Sequence, residues 1–241
     1  MRRGVLVTVL AASAMFAAVS GASASNLPNG GFDQGSLSGW GDRALQCSSV
    51  VKGSANASGV SLPAQWLVFG PSAFVGPEFG GQTFPDPEGS YATVFIQNSA
   101  SWAILHRSFK VPRKARYLSL NLFWINQATG AVVGSLGRGL LAADYYRAPT
   151  GSRLGCPAAP DAQYARIDLL RKGASPRSLK KKDILATGWK TVPGRTYATS
   201  GGWVERRVSL KKFRGERVRL RVAVIETMDF LNLGLDSVTI R

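Results

Sequence analysis

Apolar and polar residues alternate with period two in segment after segment, and nowhere does the chain sustain the 3.6-residue period of an amphipathic helix. In 91–97, Ala92, Val94 and Ile96 share one face, while Tyr91, Thr93, Phe95 and Gln97 take the other. Leu118, Leu120, Leu122 and Trp124 oppose Ser119, Asn121, Phe123 and Ile125. In 217–225, Val218, Leu220, Val222 and Val224 point inward and Arg217, Arg219 and Arg221 outward. Such alternation marks strands with one buried face. Further strands are predicted over 102–111, 165–170, 204–210 and 233–240. Turn clusters separate them: Pro85-Asp86-Pro87-Glu88-Gly89, Gly173-Ala174-Ser175-Pro176 and Phe213-Arg214-Gly215. The 27 glycines and 12 prolines are spread along the chain, as many turns require. The expectation is an all-β antiparallel sandwich, with loop-rich insertions at 42–84 and 127–163.

The first 24 residues read as a signal peptide. Arg2 and Arg3 precede the apolar stretch from Gly4 to Val19, and Ala22-Ser23-Ala24 offers small residues for cleavage. An uncleaved anchor is the alternative, although the stretch is short and Ala-rich for a membrane span. Cleavage leaves 25–241 as one domain without a second long apolar run, so no transmembrane segment is expected in the mature chain. The expected location is secreted, extracellular or in the cell envelope. Export makes a disulfide between the two cysteines, Cys47 and Cys156, the natural expectation. Their separation is wrong for a redox pair, and with a single histidine they make a poor zinc site.

The formal net charge is +16, and removing Arg2 and Arg3 leaves +14. An excess of this size favours anionic partners: acidic polysaccharides, wall polymers, lipid headgroups or nucleic acid. Basic clusters recur at Arg113-Lys114, Lys180-Lys181-Lys182, Arg206-Arg207 and Lys211-Lys212. Nucleic-acid binding calls for exposed aromatics interleaved with the charge. Export argues against that partner, and solvated strand faces explain such charges more simply.

The mature N-terminus, NLPNGGFDQGSLSGW, contains Gly31, Phe32, Asp33 and Trp40. The middle reads EGSYATVFIQNSASWAILHRSFKVP and WVERRVSLKKFRGERVRLRV, and the last strand LNLGLDSVTI. In this order the segments resemble the galactose-binding-like jelly rolls, which include many secreted carbohydrate-binding modules. The resemblance implies a jelly-roll β-sandwich over nearly the whole mature chain. It also implies a structural Ca²⁺ joining the first and last strands, for which Asp33 and Asp236 are the matching acids; hard oxygen donors are what that ion requires. The alternative is that Asp33 caps a turn and Asp236 bonds locally. Two departures stand out: Asp33 replaces the usual Glu, and Arg107 stands where Gln is common, so a buried guanidinium there needs a partner.

No catalytic constellation emerges. His106 is the only histidine, has no GxSxG motif beside it and sits mid-strand. The fourteen acids single out no pair suited to glycoside hydrolysis. Tyr91, Phe95 and Phe123 lie opposite aliphatic runs, so one sheet's outer face is expected to carry them, with Arg166 and Asp168 as polar contacts for a ligand. Burial beneath the insertions is the competing explanation. Trp66, Trp189, Tyr145 and Tyr146, in irregular segments, are further stacking candidates. The reading is a monomeric, non-catalytic binder of a carbohydrate or anionic envelope polymer, with Ca²⁺ as the sole candidate cofactor. The alternatives are a structural or adhesive envelope protein without a small ligand, and a polysaccharide lyase or glycoside hydrolase.

Overall fold

The computed structural model describes residues 25–46, 65–70, 91–96, 101–126, 163–192, 200, 202–226 and 231–241. Strands dominate: β1 (Ser25–Asn26), β2 (Gly41–Gln46), β3 (Gln65–Phe69), β4 (Ala92–Ile96), β5 (Ser101–Lys110) and β6 (Tyr117–Asn126) come first. After them come β7 (Gln163–Arg171), β8 (Ile184–Lys190), β9 (Val204–Ser209), β10 (Arg217–Glu226) and β11 (Leu231–Ile240). One sheet, here sheet A, runs β3-β4-β11-β6-β9, with β1 paired to β11; the other, sheet B, runs β2-β5-β10-β7-β8. Every pairing is antiparallel. The molecule is an all-β antiparallel sandwich, as the alternation predicts.

The core lies between the sheets. Sheet A contributes Phe95, Leu118, Leu120, Leu122, Leu233 and Leu235; sheet B contributes Leu105, Ile167, Leu169, Leu220, Val222 and Val224. Burying an aliphatic side chain of this size contributes about 1.5–3 kcal/mol, which is why the apolar set of each long strand points the same way. Phe32 and Trp40 from the N-terminal turn close one side, with ring centroids 5.4 Å apart. The Trp40 indole N–H donates to the Asn29 carbonyl at 3.0 Å. Arg107 lies over the Trp40 ring at 5.6 Å, so the arginine at this position finds an aromatic partner.

Three strands fall where the sequence shows no clean alternation. All of β2 but Gly41, and all of β3, lie within 42–84, expected as an insertion, and β8 follows the basic run 180–182. β3 reads QWLVF, apolar after Gln65, because it packs on both faces. Trp66, expected in an irregular segment, is 4% exposed and packs on Phe95 at 5.6 Å. β8 reads ILATGWK, where Gly188 lies against Val208 and leaves no room for a side chain. Tyr145, Tyr146, the expected signal peptide and both cysteines lie outside the described residues.

The face expected for β4 is reversed. Phe95 points into the main core with no exposure, while Val94 and Ile96 belong to a second apolar cluster on the outer face of sheet A. All five β4 residues are buried. Parity says which residues share a face but not which face is the main core when both are covered. Phe123 does lie on the outer face, but it is 1% exposed and packs edge-to-face with Trp203 at 4.8 Å. Gly234, its cross-strand partner, makes this possible, since a Cβ there would sit 2.0 Å from the Phe123 ring. Phe95→Ala and Phe123→Ala should each destabilise the fold by about 3–5 kcal/mol in denaturant unfolding. A loss below about 1 kcal/mol in either would contradict the packing described.

Candidate functional site

The expected polar contacts, Arg166 and Asp168, are on the outer face of sheet B, not beside Phe95 or Phe123. Their strand, β7, alternates Ala165, Ile167 and Leu169 into the core, so Tyr164, Arg166 and Asp168 face outward. In register on β10, Arg221 pairs with Asp168, which brings a second guanidinium to the same carboxylate. Arg166 Nε donates to Asp168 Oδ2 at 2.5 Å and Arg166 Nη2 to Oδ1 at 2.6 Å. Arg221 donates to Oδ2 from Nε at 3.1 Å and also from Nη2. Thr187 Oγ1 donates to Oδ1 at 2.7 Å.

The cluster is buried: Asp168 and Arg221 have no exposure and Arg166 has 7%. Residues 172–183 cover it. Arg221 Nη1 donates to the carbonyls of Pro176 at 2.8 Å and Ser178 at 2.7 Å, and Arg219 Nη1 to Ala174 O at 2.5 Å. Arg177 stacks over Trp102 at 5.0 Å. The outward arginines of β10 therefore do not all meet water; two of them fasten this segment to the sheet. Burial alone would raise the Asp168 pKa, but hydrogen bonds and charge from Arg166 and Arg221 outweigh it and hold the carboxyl below its ordinary 3.8. Burial lowers the Arg221 pKa despite Asp168, and raises that of Tyr164, whose OH accepts from Arg166 at 3.3 Å. His106 sits half-buried on the same face, its pKa lowered by burial and then by Arg219 and Arg43.

Tyr91 is half-buried against the main core, so the three expected aromatics do not share an exposed face. The turn holding Asp33 and the β11 bulge holding Asp236 adjoin, since Val238 N donates to Gly30 O at 3.0 Å. Asp33 is exposed; Asp236 is fully buried, and its Oδ1 accepts from Ser237 N at 2.5 Å. Among the described residues no three Asp, Glu, His or Cys side chains gather as a metal site. A Ca²⁺ here would therefore take two carboxylates at most, with backbone carbonyls of the turn and bulge completing its oxygen shell, a donor set that suits this hard ion.

An open polar groove of about 430 Å³ lies on the outer face of sheet A, lined by Ser119, Asn121, Glu205, Arg207, Ser237, Thr239 and Arg241. The same alternation that sends Leu118, Leu120 and Leu122 inward turns Ser119 and Asn121 toward it. The bulge at 236–239 resets β11, so that Val238 and Ile240 pack inward while Ser237 and Thr239 face the groove. Glu205 accepts from Ser119 Oγ and pairs with Arg207 at 2.7 Å. The two Arg207 contacts hold its charge in place: Glu205 on one side and the Tyr117 ring, 4.9 Å away, on the other. Sequence reasoning had Asp236 from this face but missed the groove. Its signal was the polar outward set Ser119, Asn121, Glu205 and Arg207 on neighbouring strands.

No protein-family model matches the sequence, and no curated protein matches it. Among solved structures, the chain is similar to the enzymatically active domain of bacteriophage CBA120 tailspike protein 4, at 10% identity and a TM-score of 0.43, covering 88% of this chain and 20% of that one. It is also similar to TmCBM61 in complex with β-1,4-galactotriose, at 13% identity and a TM-score of 0.42, over 90% of this chain and 98% of that one. A third is the family 11 carbohydrate-binding module from Clostridium thermocellum in complex with a β-1,3-1,4-mixed-linked tetrasaccharide, at 10% identity and a TM-score of 0.35, over 90% and 94%.

Removing one partner from the buried cluster leaves an unpaired charge. Arg221→Met should therefore cost about 3–5 kcal/mol of stability. Because the folded-state pKa of Asp168 is depressed, its contribution is complete above the unfolded value near 3.8 and is lost as pH falls through the lower folded value. Denaturant unfolding from neutral pH down to about pH 2 should show a smaller acid-induced loss in Asp168→Asn than in the unmutated protein. Equal losses would show that Asp168 is not held as described.

Proposed function

We propose that the protein is a non-catalytic binder of carbohydrate, and that the groove on sheet A receives the sugar. The observation that carries this is the groove's lining: hydroxyl, amide, carboxylate and guanidinium groups presented together on a rigid sheet. Sugar hydroxyls donate and accept at once, so a site for them needs both kinds of partner, and this lining supplies both. Ser119, Ser237 and Thr239 provide hydroxyls, Asn121 an amide, Glu205 an acceptor, and Arg207 and Arg241 donors able to take a carboxylate or sulfate in two-point contact. Strand placement fixes these groups with little conformational freedom left to lose on binding.

Affinity electrophoresis against neutral and acidic polysaccharides tests the reading. Asn121→Ala and Arg207→Ala should each weaken retention by roughly tenfold, the equivalent of one directional hydrogen bond, without lowering the thermal midpoint. Unchanged retention in both variants would remove the groove from consideration.

We propose also that Asp33 and Asp236 hold Ca²⁺ between the N-terminal turn and the last strand. A ligand bound only by the folded state raises its stability. Chelation should then lower the melting temperature, and added Ca²⁺ should restore it. A melting temperature indifferent to chelator would dispose of the site.

A further inference from the structure

The net charge is concentrated at one end of the sandwich. Antiparallel pairing brings the end of β5, the start of β6, the end of β7, the starts of β8 and β10, and the ends of β9 and β11 to the same pole. Backbone bonds tie the turns there together: Val111 N to Glu216 O, Leu210 N to Arg116 O, Arg116 N to Arg241 O and Arg171 N to Asp183 O. Segments 110–116, 171–172, 180–183 and 211–217, with Arg241, hold fourteen of the chain's thirty lysines and arginines and two of its fourteen acids, while Arg177 lies away from the pole over Trp102. That leaves sixteen cations against twelve acids everywhere else, so the pole accounts for twelve of the sixteen net charges.

All fourteen cations are exposed, and within the described residues none of them forms an ion pair. Of the two acids, Asp183 accepts from Ser178 Oγ at 2.5 Å. Like charges crowded in this way destabilise the fold by mutual repulsion unless a counter-charge is bound. Of these cations, Arg214 and Arg171 help close the turns by donating from Nε to Ala115 O at 2.7 Å and Lys182 O at 3.3 Å, whereas no lysine side chain of the pole makes such a bond among the described residues.

We infer that this pole binds a linear acidic polysaccharide, which continues from the groove on sheet A across the turn cluster. The inference deepens the carbohydrate reading and rests on it. Continuity carries the choice of partner: Arg241 lines the groove and belongs to the pole. A polymer lying in the groove therefore meets the cluster next. A flat bilayer touching the pole leaves the groove on the sandwich's side unused. Nucleic acid would want stacking platforms, whereas Tyr117 and Phe213, the aromatics of these turns, are half-buried.

The test uses the full chain and a five-lysine variant, Lys180→Gln, Lys181→Gln, Lys182→Gln, Lys211→Gln and Lys212→Gln, none of which lines the groove. Probes are polygalacturonate, dextran sulfate, neutral dextran, duplex DNA and phosphatidylserine vesicles, at low and high NaCl. The unmutated protein should bind polygalacturonate or dextran sulfate with an affinity that falls steeply with salt, and the preferred one distinguishes carboxylate from sulfate. The variant should bind that polymer about tenfold more weakly or worse at low salt, with a shallower salt slope and a thermal midpoint no lower than that of the unmutated protein. Asn121→Ala should weaken binding equally at both salts. Loss in the five-lysine variant with no effect of Asn121→Ala keeps the pole and removes the groove reading. Unchanged affinity in the five-lysine variant, no binding to either acidic polysaccharide, or a preference for DNA or vesicles would each overturn the inference.

Discussion

Asp168 takes hydrogen bonds from two arginines under a layer of backbone, and the division of the surface follows from that arrangement. A carboxylate without exposure is tolerable only while both guanidiniums stay with it, and Arg221 in turn is tolerable only while Pro176 and Ser178 accept its remaining donors. The cluster therefore holds residues 172–183 against sheet B. It also spends the polar groups that sheet B would otherwise offer a ligand. What sheet B loses as a binding face, the other surfaces must supply.

Sheet A divides its outer face between two uses. Toward one end, Val94, Ile96, Phe123 and Ile125 form a second apolar cluster beneath Trp203. Toward the other, the bulge in β11 turns Ser237 and Thr239 outward beside Ser119 and Asn121, and the groove begins. The groove runs toward the turn cluster through Arg241. A ligand contacting both would use directional hydrogen bonds for selectivity and the exposed cations for long-range attraction, which separates specificity from encounter rate.

The strands that set an apolar face on the core against a polar outer face were legible from their alternation, even where, as in β7 and β10, the polar face is buried too. β5, β6, β7, β9, β10 and β11 follow it closely. β3 and β4 obscure it by packing on both faces, which is why parity alone puts Phe95 on the wrong side. β8 lacks a periodic signal because Gly188 and Trp189 answer to neighbours across the sheet edge, where Trp189 stacks on Trp124 at 5.2 Å. The arginine row of β10 was visible as a row, but not as a clamp, since the acceptors on 174–178 are backbone carbonyls that no side-chain pattern reveals. The sequence pattern points to Arg166 and Asp168 as polar contacts but gives their partner Arg221 only as one of an outward arginine row. The basic pole was legible only as scattered clusters, because it takes the strand pairing to gather 110–116, 171–172, 180–183 and 211–217 in one place.

The central claim is that the working surface is the outer face of sheet A with the adjoining turns, not the outer face of sheet B. Amide chemical-shift mapping with an acidic oligosaccharide addresses it directly. The largest changes should fall on Ser119, Asn121, Arg207, Ser237, Thr239 and Arg241, and spread into the turns at 112–116 and 211–216. Changes centred instead on Trp102, Tyr164 and Ile225 would place the ligand on sheet B and contradict the account.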